Sequence, residues 1–120
     1  MKEDIKIILP VYPSGNKYKG RYGDARYFGF KKKVKRLLKD YNLAAPKEIM
    51  KADVTIVRYG SRLLDDDNLH FGSKPIQDVL RDLGFFPDDN PKWISVTWLQ
   101  VKCSRLLAKT EVVIKYRKDD

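Results

Sequence analysis

The sequence predicts an α+β domain, one layer of mixed four-stranded sheet with two helices in the order β-α-β-α-β-β. Three observations carry that prediction. Four short segments carry strand patterns, either alternation with period two or apolar residues on both faces, and two others repeat apolar residues at helical spacing. No internal repeat or linker-like stretch divides residues 1–120, so the chain reads as one domain. At this length folding buries about two thirds of the unfolded surface.

Lys2–Leu9 is the expected first strand, with Ile5, Ile7 and Leu9 on one face and Pro10 ending it. Residues 12–23 read as a loop by their Gly, Pro and Asn content, and basic residues there alternate with aromatics, a composition suited to phosphate contacts. Phe28–Tyr41 is the clearest helix: Phe30, Val34, Leu37, Leu38 and Tyr41 form one apolar stripe, Lys and Arg cover the rest, and Asn42 and Pro46 close it. Asp53–Tyr59 is the second strand. It carries apolar residues on both sides, which places it in the sheet centre.

The second helix is expected to start near Pro75, with Lys74 in the extended conformation of an N-cap. Ile76, Val79, Leu80 and Leu83 form its stripe, and Gly84 stops it. Trp93–Cys103 is the third strand, but its pattern changes phase. Ile94, Val96 and Trp98 share one face, and Leu99, Val101 and Cys103 take the other. That change implies either a bulge near Trp98 or burial of both faces, the second by a partner subunit. A turn at Leu106–Lys109 leads to the last strand, Glu111–Arg117, with Val112, Ile114 and Tyr116 inward.

A hydrophobic content of 42% argues against wholesale disorder. The opening residues carry acids and only a short apolar run, unlike a signal peptide, and no segment approaches the ~20 apolar residues of a membrane span. Cys103 has no second cysteine to pair with, and it reads as a buried core residue. These features lead us to expect a cytoplasmic protein with no membrane and no small-molecule substrate. Residues 1–60 hold 15 Lys/Arg against 6 Asp/Glu, whereas 61–120 hold 10 of each, so the whole excess sits in the first half. A basic field beside an acidic cluster is what a metal-dependent enzyme acting on a polyanion needs. The plain alternative is a solvated basic surface.

The acids gather in Asp65-Asp66-Asp67-Asn68, answered about twenty residues later by Asp88-Asp89-Asn90. Converging carboxylates repel one another, and a divalent cation relieves that cost. Oxygen ligands without His or Cys favour Mg²⁺, with Mn²⁺ as a substitute. An EF-hand loop is excluded, because its fifth, sixth and twelfth positions would fall on Leu69, His70 and Ile76. Turn and cap chemistry explains one or two acids but not three in a row. In an extended segment Asp65 and Asp67 would point one way and Asp66 the other. Lone His70 reads as an exposed loop residue, and Trp93 and Trp98 as core or interface.

Asp65-x-Asp67-Asn68-Leu69, a following lysine, a helix ending Leu83-Gly84-Phe85 and the Asp88-Asp89 pair together resemble the RusA family of Holliday-junction resolvases. The opening Leu9-Pro10-x-x-Pro13-Ser14-x-Asn16-x-Tyr18 resembles that family's first loop, so the likeness spans nearly the whole chain. It implies a homodimeric, phage-type endonuclease that binds branched DNA, a four-way junction, and makes paired symmetric nicks with Mg²⁺. It further implies that Asp65, Asp67 and Asp89 are the catalytic metal ligands and that Lys74 is the catalytic lysine. Lys74 follows Asp67 by seven residues, farther than the family's one-turn spacing, because His70-Phe71-Gly72-Ser73 reads as a local insertion.

Phosphodiester hydrolysis needs an activated water, neutralised phosphate oxygens and a stabilised leaving group, which carboxylate-bound metal ions supply. Lys74 would add positive charge at the transition state. Asn16, Lys17, Lys19, Arg21 and Arg26 are expected to hold DNA phosphates, Asn68 to orient a carboxylate or touch the backbone, and Arg62 and Lys92 to flank the pocket. Two alternatives stay open: a non-catalytic nucleic-acid-binding module, and a metal-dependent nuclease on other branched DNA.

Overall fold

A computed structural model describes residues 4–41, 43, 45–46, 50–88 and 90–117. The described residues form a single mixed sheet of four strands, β1 (Ile5–Leu9), β2 (Ala52–Gly60), β3 (Ile94–Lys102) and β4 (Lys109–Tyr116), with three α-helices. These are α1 (Gly23–Asp40), α2 (Asp66–Gly72) and α3 (Lys74–Asp82). The strand order is β1-β4-β2-β3; β4 runs antiparallel to both β1 and β2, and β2 runs parallel to β3. The α+β architecture is as expected, and β2 lies inside the sheet as its two-sided apolar pattern requires.

One face of the sheet and the inner sides of the helices share a single core. Ile7, Val54, Ile56, Val112 and Ile114 come from the strands, and Val34, Leu38, Ile76, Val79 and Leu80 from α1 and α3. The α1 stripe explains its own burial, with Val34 and Leu38 at the centre and Phe30 and Leu37 at the margin. Tyr41, at the end of that stripe, is exposed, but its hydroxyl accepts from the Ile8 N–H at 3.1 Å and donates to the Ile8 carbonyl at 2.8 Å. This closes part of the outer edge of β1, where unpaired backbone groups would otherwise invite another strand.

Four local expectations change. The helix expected from Phe28 begins five residues earlier, at Gly23; Asn42, expected to close it, lies outside the described residues. β3 pairs with β2 in unbroken register from Ala52↔Ile94 to Gly60↔Lys102, so no bulge interrupts it. The phase change instead leaves Leu99 and Val101 exposed, at 50% and 42%, on an edge strand. Cys103 is only half-buried, because it lies just past the end of β3, beyond the helices' cover.

The second helix stands as α3, close to its expected bounds, and a further helix that was not expected, α2, precedes it and meets it at Ser73. Lys74, expected extended as the residue before proline, is already helical, and Ser73 takes the cap position. The C-terminal end of α3 follows the expectation. Gly84 has φ +86°, its N–H donates to the Arg81 carbonyl, and the Phe85 N–H donates to the Leu80 carbonyl. This double return bond requires a left-handed residue, for which glycine carries no Cβ penalty.

Candidate functional site

The acidic stretch is the start of a helix and not an extended segment. Asp65 has φ −69° and ψ 165°, and its Oδ1 accepts from the Asn68 backbone N–H at 2.9 Å, which makes it the N-cap of α2. Asp66 and Asp67 occupy the first turn, where the positive end of the helix dipole favours carboxylates. Successive helical residues point about 100° apart, so the alternation expected to align Asp65 with Asp67 does not apply. Residues 70–72, expected as part of an inserted loop, are the last turn of this helix. His70 is exposed as expected, but on α2, with its ring stacked 3.9 Å from that of the half-buried Trp98.

Side chains from distant parts of the chain hold the stretch in place. The Gln100 amide on β3 accepts from the Leu64 N–H at 2.9 Å and donates to the Leu64 carbonyl at 2.8 Å, as a neighbouring strand would. Leu69 is buried, and the Tyr12 hydroxyl donates to its carbonyl at 2.9 Å. The Tyr18 hydroxyl does the same at Gly72, at 3.0 Å. At Gly72 the chains approach so closely that a Cβ would collide with the Pro13 carbonyl and the Tyr12 ring. The 3-10 helix Gly15–Tyr18 thus packs directly on α2. Burial holds the Tyr12 and Tyr18 phenols well above their ordinary range, so both remain hydrogen-bond donors.

Ser73 fixes the joint between α2 and α3. Its fully buried hydroxyl donates to the His70 carbonyl at 2.7 Å and accepts from Gln77 Nε2 at 3.0 Å and Trp98 Nε1 at 2.9 Å. Among the described residues no buried side-chain polar atom lacks a partner, which is the condition for burying such atoms.

The expected DNA-binding residues spread over three places. Asn16 and Lys17 lie on the 3-10 helix and Lys19 just after it, all exposed and carried on the loop fastened to α2. Arg21 lies over the Tyr22 ring, and Arg26, on α1, donates to the Lys17 carbonyl at 3.4 Å, so it braces the loop. Arg62 is exposed between β2 and α2, its carbonyl accepting from Arg58 at 3.2 Å. Asn68 gives its N–H to the Asp65 cap and is half-buried. Lys92 is exposed, its ammonium 5.4 Å from the centre of the Trp93 ring.

Lys74 opens α3 and lies 3.5 Å from Asp78 Oδ1. Asp78 is the acid that the sequence reading missed. It is buried, yet it also accepts from the Tyr27 hydroxyl on α1 and lies 3.8 Å from Arg81 Nη1. This one carboxylate gathers a phenol and two cations and ties α1 to α3. Burial, and then the hydrogen bond to Asp78, hold the Tyr27 phenol well above its ordinary range. The i, i+4 spacing of Lys74 and Asp78 and the i, i+3 spacing of Asp78 and Arg81 were the available signals. Along a continuous helix seven residues rise about 10 Å, so local geometry alone does not put Lys74 on Asp67.

Asp88, half-buried, accepts from Asn90 Nδ2 at 3.0 Å, and Asp89 lies outside the described residues. Among the described residues no three His, Cys, Asp or Glu side chains gather as a metal-holding group. The donor chemistry of the stretch itself fits a hard cation. Asp65, Asp66 and Asp67 are exposed, no ion pair is made by any of them among the described residues, and Asp65 uses one oxygen in its cap. No helix among the described residues is long and apolar enough to cross a membrane. Compared with known proteins, the chain matches no protein-family model and no curated protein.

Proposed function

We propose that this chain is a Mg²⁺-dependent, structure-selective DNA endonuclease that works as a homodimer and resolves four-way junctions by paired nicks. The observation that carries the reading is the fastening of a basic loop to an acidic helix. Tyr12 and Tyr18 tie the segment bearing Asn16, Lys17 and Lys19 to the helix that begins at Asp66. Such a unit can bring a phosphate backbone beside a group of carboxylates, and those same two segments are among the motifs that resemble RusA resolvases.

In this reading Asp65, Asp67 and Asp89 hold the cation and the loop cations hold the flanking phosphates. When bound, Mg²⁺ supplies charge neutralisation at the scissile phosphate and a more acidic water. The cap bond from Asn68 fixes one oxygen of Asp65 and so limits the rotation of its carboxylate. Lys74, held 3.5 Å from Asp78 Oδ1, would contribute positive charge at the transition state. Two-fold symmetry matches two equivalent scissile strands.

A second reading has an observation of its own. Asp65 caps α2, and Asp66 and Asp67 complement its dipole, so all three acids have a local structural use. On that basis the chain would be a nucleic-acid-binding module without catalysis. A labelled, branch-migratable four-way junction and the matching linear duplex, each with Mg²⁺ or EDTA, separate the two. Symmetric nicks on the junction alone, lost in EDTA and in Asp67→Asn with binding retained, are the expected result. Tight binding with no cutting in Mg²⁺ or Mn²⁺ would overturn the nuclease reading in favour of the module.

A further inference from the structure

Apart from Arg26 at its flank, the outer face of α1 takes no part in the site described above, yet it is built at a cost to the helix. Residues 25–39 hold seven Lys/Arg and no acid. Among the described residues only Lys31 of these is in an ion pair, with Asp82 at 3.2 Å. Lys32 and Arg36, and Lys35 and Lys39, are like charges at i, i+4, which destabilises a helix. At the centre of the face stands Gly29, the worst interior residue for a helix after proline. A Cβ at Gly29 would meet nothing within 4 Å, so packing inside the chain does not require the glycine.

The turn of the helix puts these features together. At 100° per residue, Ala25, Gly29, Lys32 and Arg36 fall within about 60° of one another, opposite the buried Val34 and Leu38. Two small residues thus leave a smooth strip, with Arg26 and Lys33 on one flank. Two shallow depressions meet at Gly29. One, of ≈ 660 Å³, is lined with Lys32, Lys33, Lys35, Arg36 and Lys39; the other, of ≈ 430 Å³, reaches Pro13, Lys17, Arg26, Phe30 and Lys33. The second joins the helix face to the basic loop.

We propose that this strip is a second nucleic-acid-binding surface, on which the phosphate backbone of a duplex arm runs along α1 with its closest approach at Gly29. A bound polyanion would relieve the repulsion among the lysines, and the missing side chain admits the backbone. The cations from Arg26 to Lys39 span about 20 Å, enough for several phosphates of one strand at ~3.4 Å each along the duplex axis. A bilayer is a poor occupant, because an interfacial helix inserts its apolar face and that of α1 is already buried in the core. The inference rests on the DNA reading for its ligand and not on cleavage.

Anisotropy titrations of a labelled linear duplex at several salt concentrations test it, using wild type, Gly29→Ala and Lys32→Glu/Arg36→Glu. Gly29→Ala should raise the melting temperature by about 3–5 °C while weakening duplex binding by about fivefold. The double reversal should lower the slope of log K against log salt by about 2. Wild-type binding left unchanged by both variants would overturn the α1 surface alone. No duplex or junction binding by wild type, even at low salt, would overturn the DNA reading and this surface together.

Discussion

The phenol of Tyr12 donates to the carbonyl of Leu69 at 2.9 Å, joining a residue just past β1 to the core side of the helix that the three acids begin. Tyr12 is itself fully buried, its N–H donates to Thr110 Oγ1 at 3.1 Å, and its carbonyl accepts from Arg58 Nε at 2.8 Å. One residue therefore links β4, β2 and α2. Removing only the hydroxyl, in Tyr12→Phe, should cost about 1–2 kcal/mol, since the change deletes a buried hydrogen bond and keeps the ring. Urea unfolding measures that loss. Cleavage or binding should fall by more than the loss of folded protein accounts for, because α2 keeps only the Tyr18–Gly72 hydrogen bond of the two that tie it to the loop.

Asp65 has a structural and a proposed chemical role, and two substitutions separate them. Asparagine caps a helix about as well as aspartate, whereas alanine costs about 1 kcal/mol. Asp65→Asn should keep wild-type stability and lose Mg²⁺-dependent cutting, while Asp65→Ala should lose both. Parallel unfolding curves and cleavage assays provide the check. Full cutting by Asp65→Asn would remove this residue from the metal set.

Asp78 carries the contacts between α1 and α3. Asp78→Ala should cost about 2–3 kcal/mol, below the full cost of breaking a buried pair because Lys74 and Arg81 are partly exposed and can rehydrate. Asp78→Asn keeps an acceptor for Tyr27 and should cost less. Denaturation midpoints at constant m-value test the order. Equal stability of all three proteins would show that the contact contributes nothing.

Alkaline pH should unfold the protein through its buried tyrosines. Burial raises the phenol of Tyr116 to about 12 and those of Tyr12, Tyr18 and Tyr27 higher still, whereas an unfolded tyrosine loses its proton near 10. The folded state holds these protons more tightly. Its contribution is therefore complete below pH ~10 and is lost as pH rises from there towards the folded values. Urea midpoints at about pH 9 and about pH 11 should show the fall, and Tyr27→Phe should make it shallower. The same fall in the variant would exclude Tyr27 as a contributor.

Much of the fold was legible in local pattern. The stripe Phe30–Val34–Leu37–Leu38 places the inner side of α1, and Gly84 marks the end of α3, because helix faces and left-handed caps depend on residues within one or two turns. The alternation of Val54 and Ile56, and of Val112 and Ile114, likewise identifies which strand faces enter the core. Charge asymmetry between the two halves was equally plain. Composition also marked residues 12–23 and 65–67 as unusual, without showing that they meet.

Only the tertiary structure decided how those segments are joined. Asp65–Asp67 reads as extended in isolation, and the helix there forms because Leu69 enters the core under Tyr12 and Gln100 fixes Leu64 from β3. Asp78 reads as one more surface acid until Tyr27, fifty-one residues away, meets it. These contacts join residues far apart in the chain, and their energy comes from burial and hydrogen-bond partners that no local spacing encodes. The sequence determined the strands and the helices α1 and α3. Long-range packing decided which segments became neighbours, and therefore where chemistry or binding can occur.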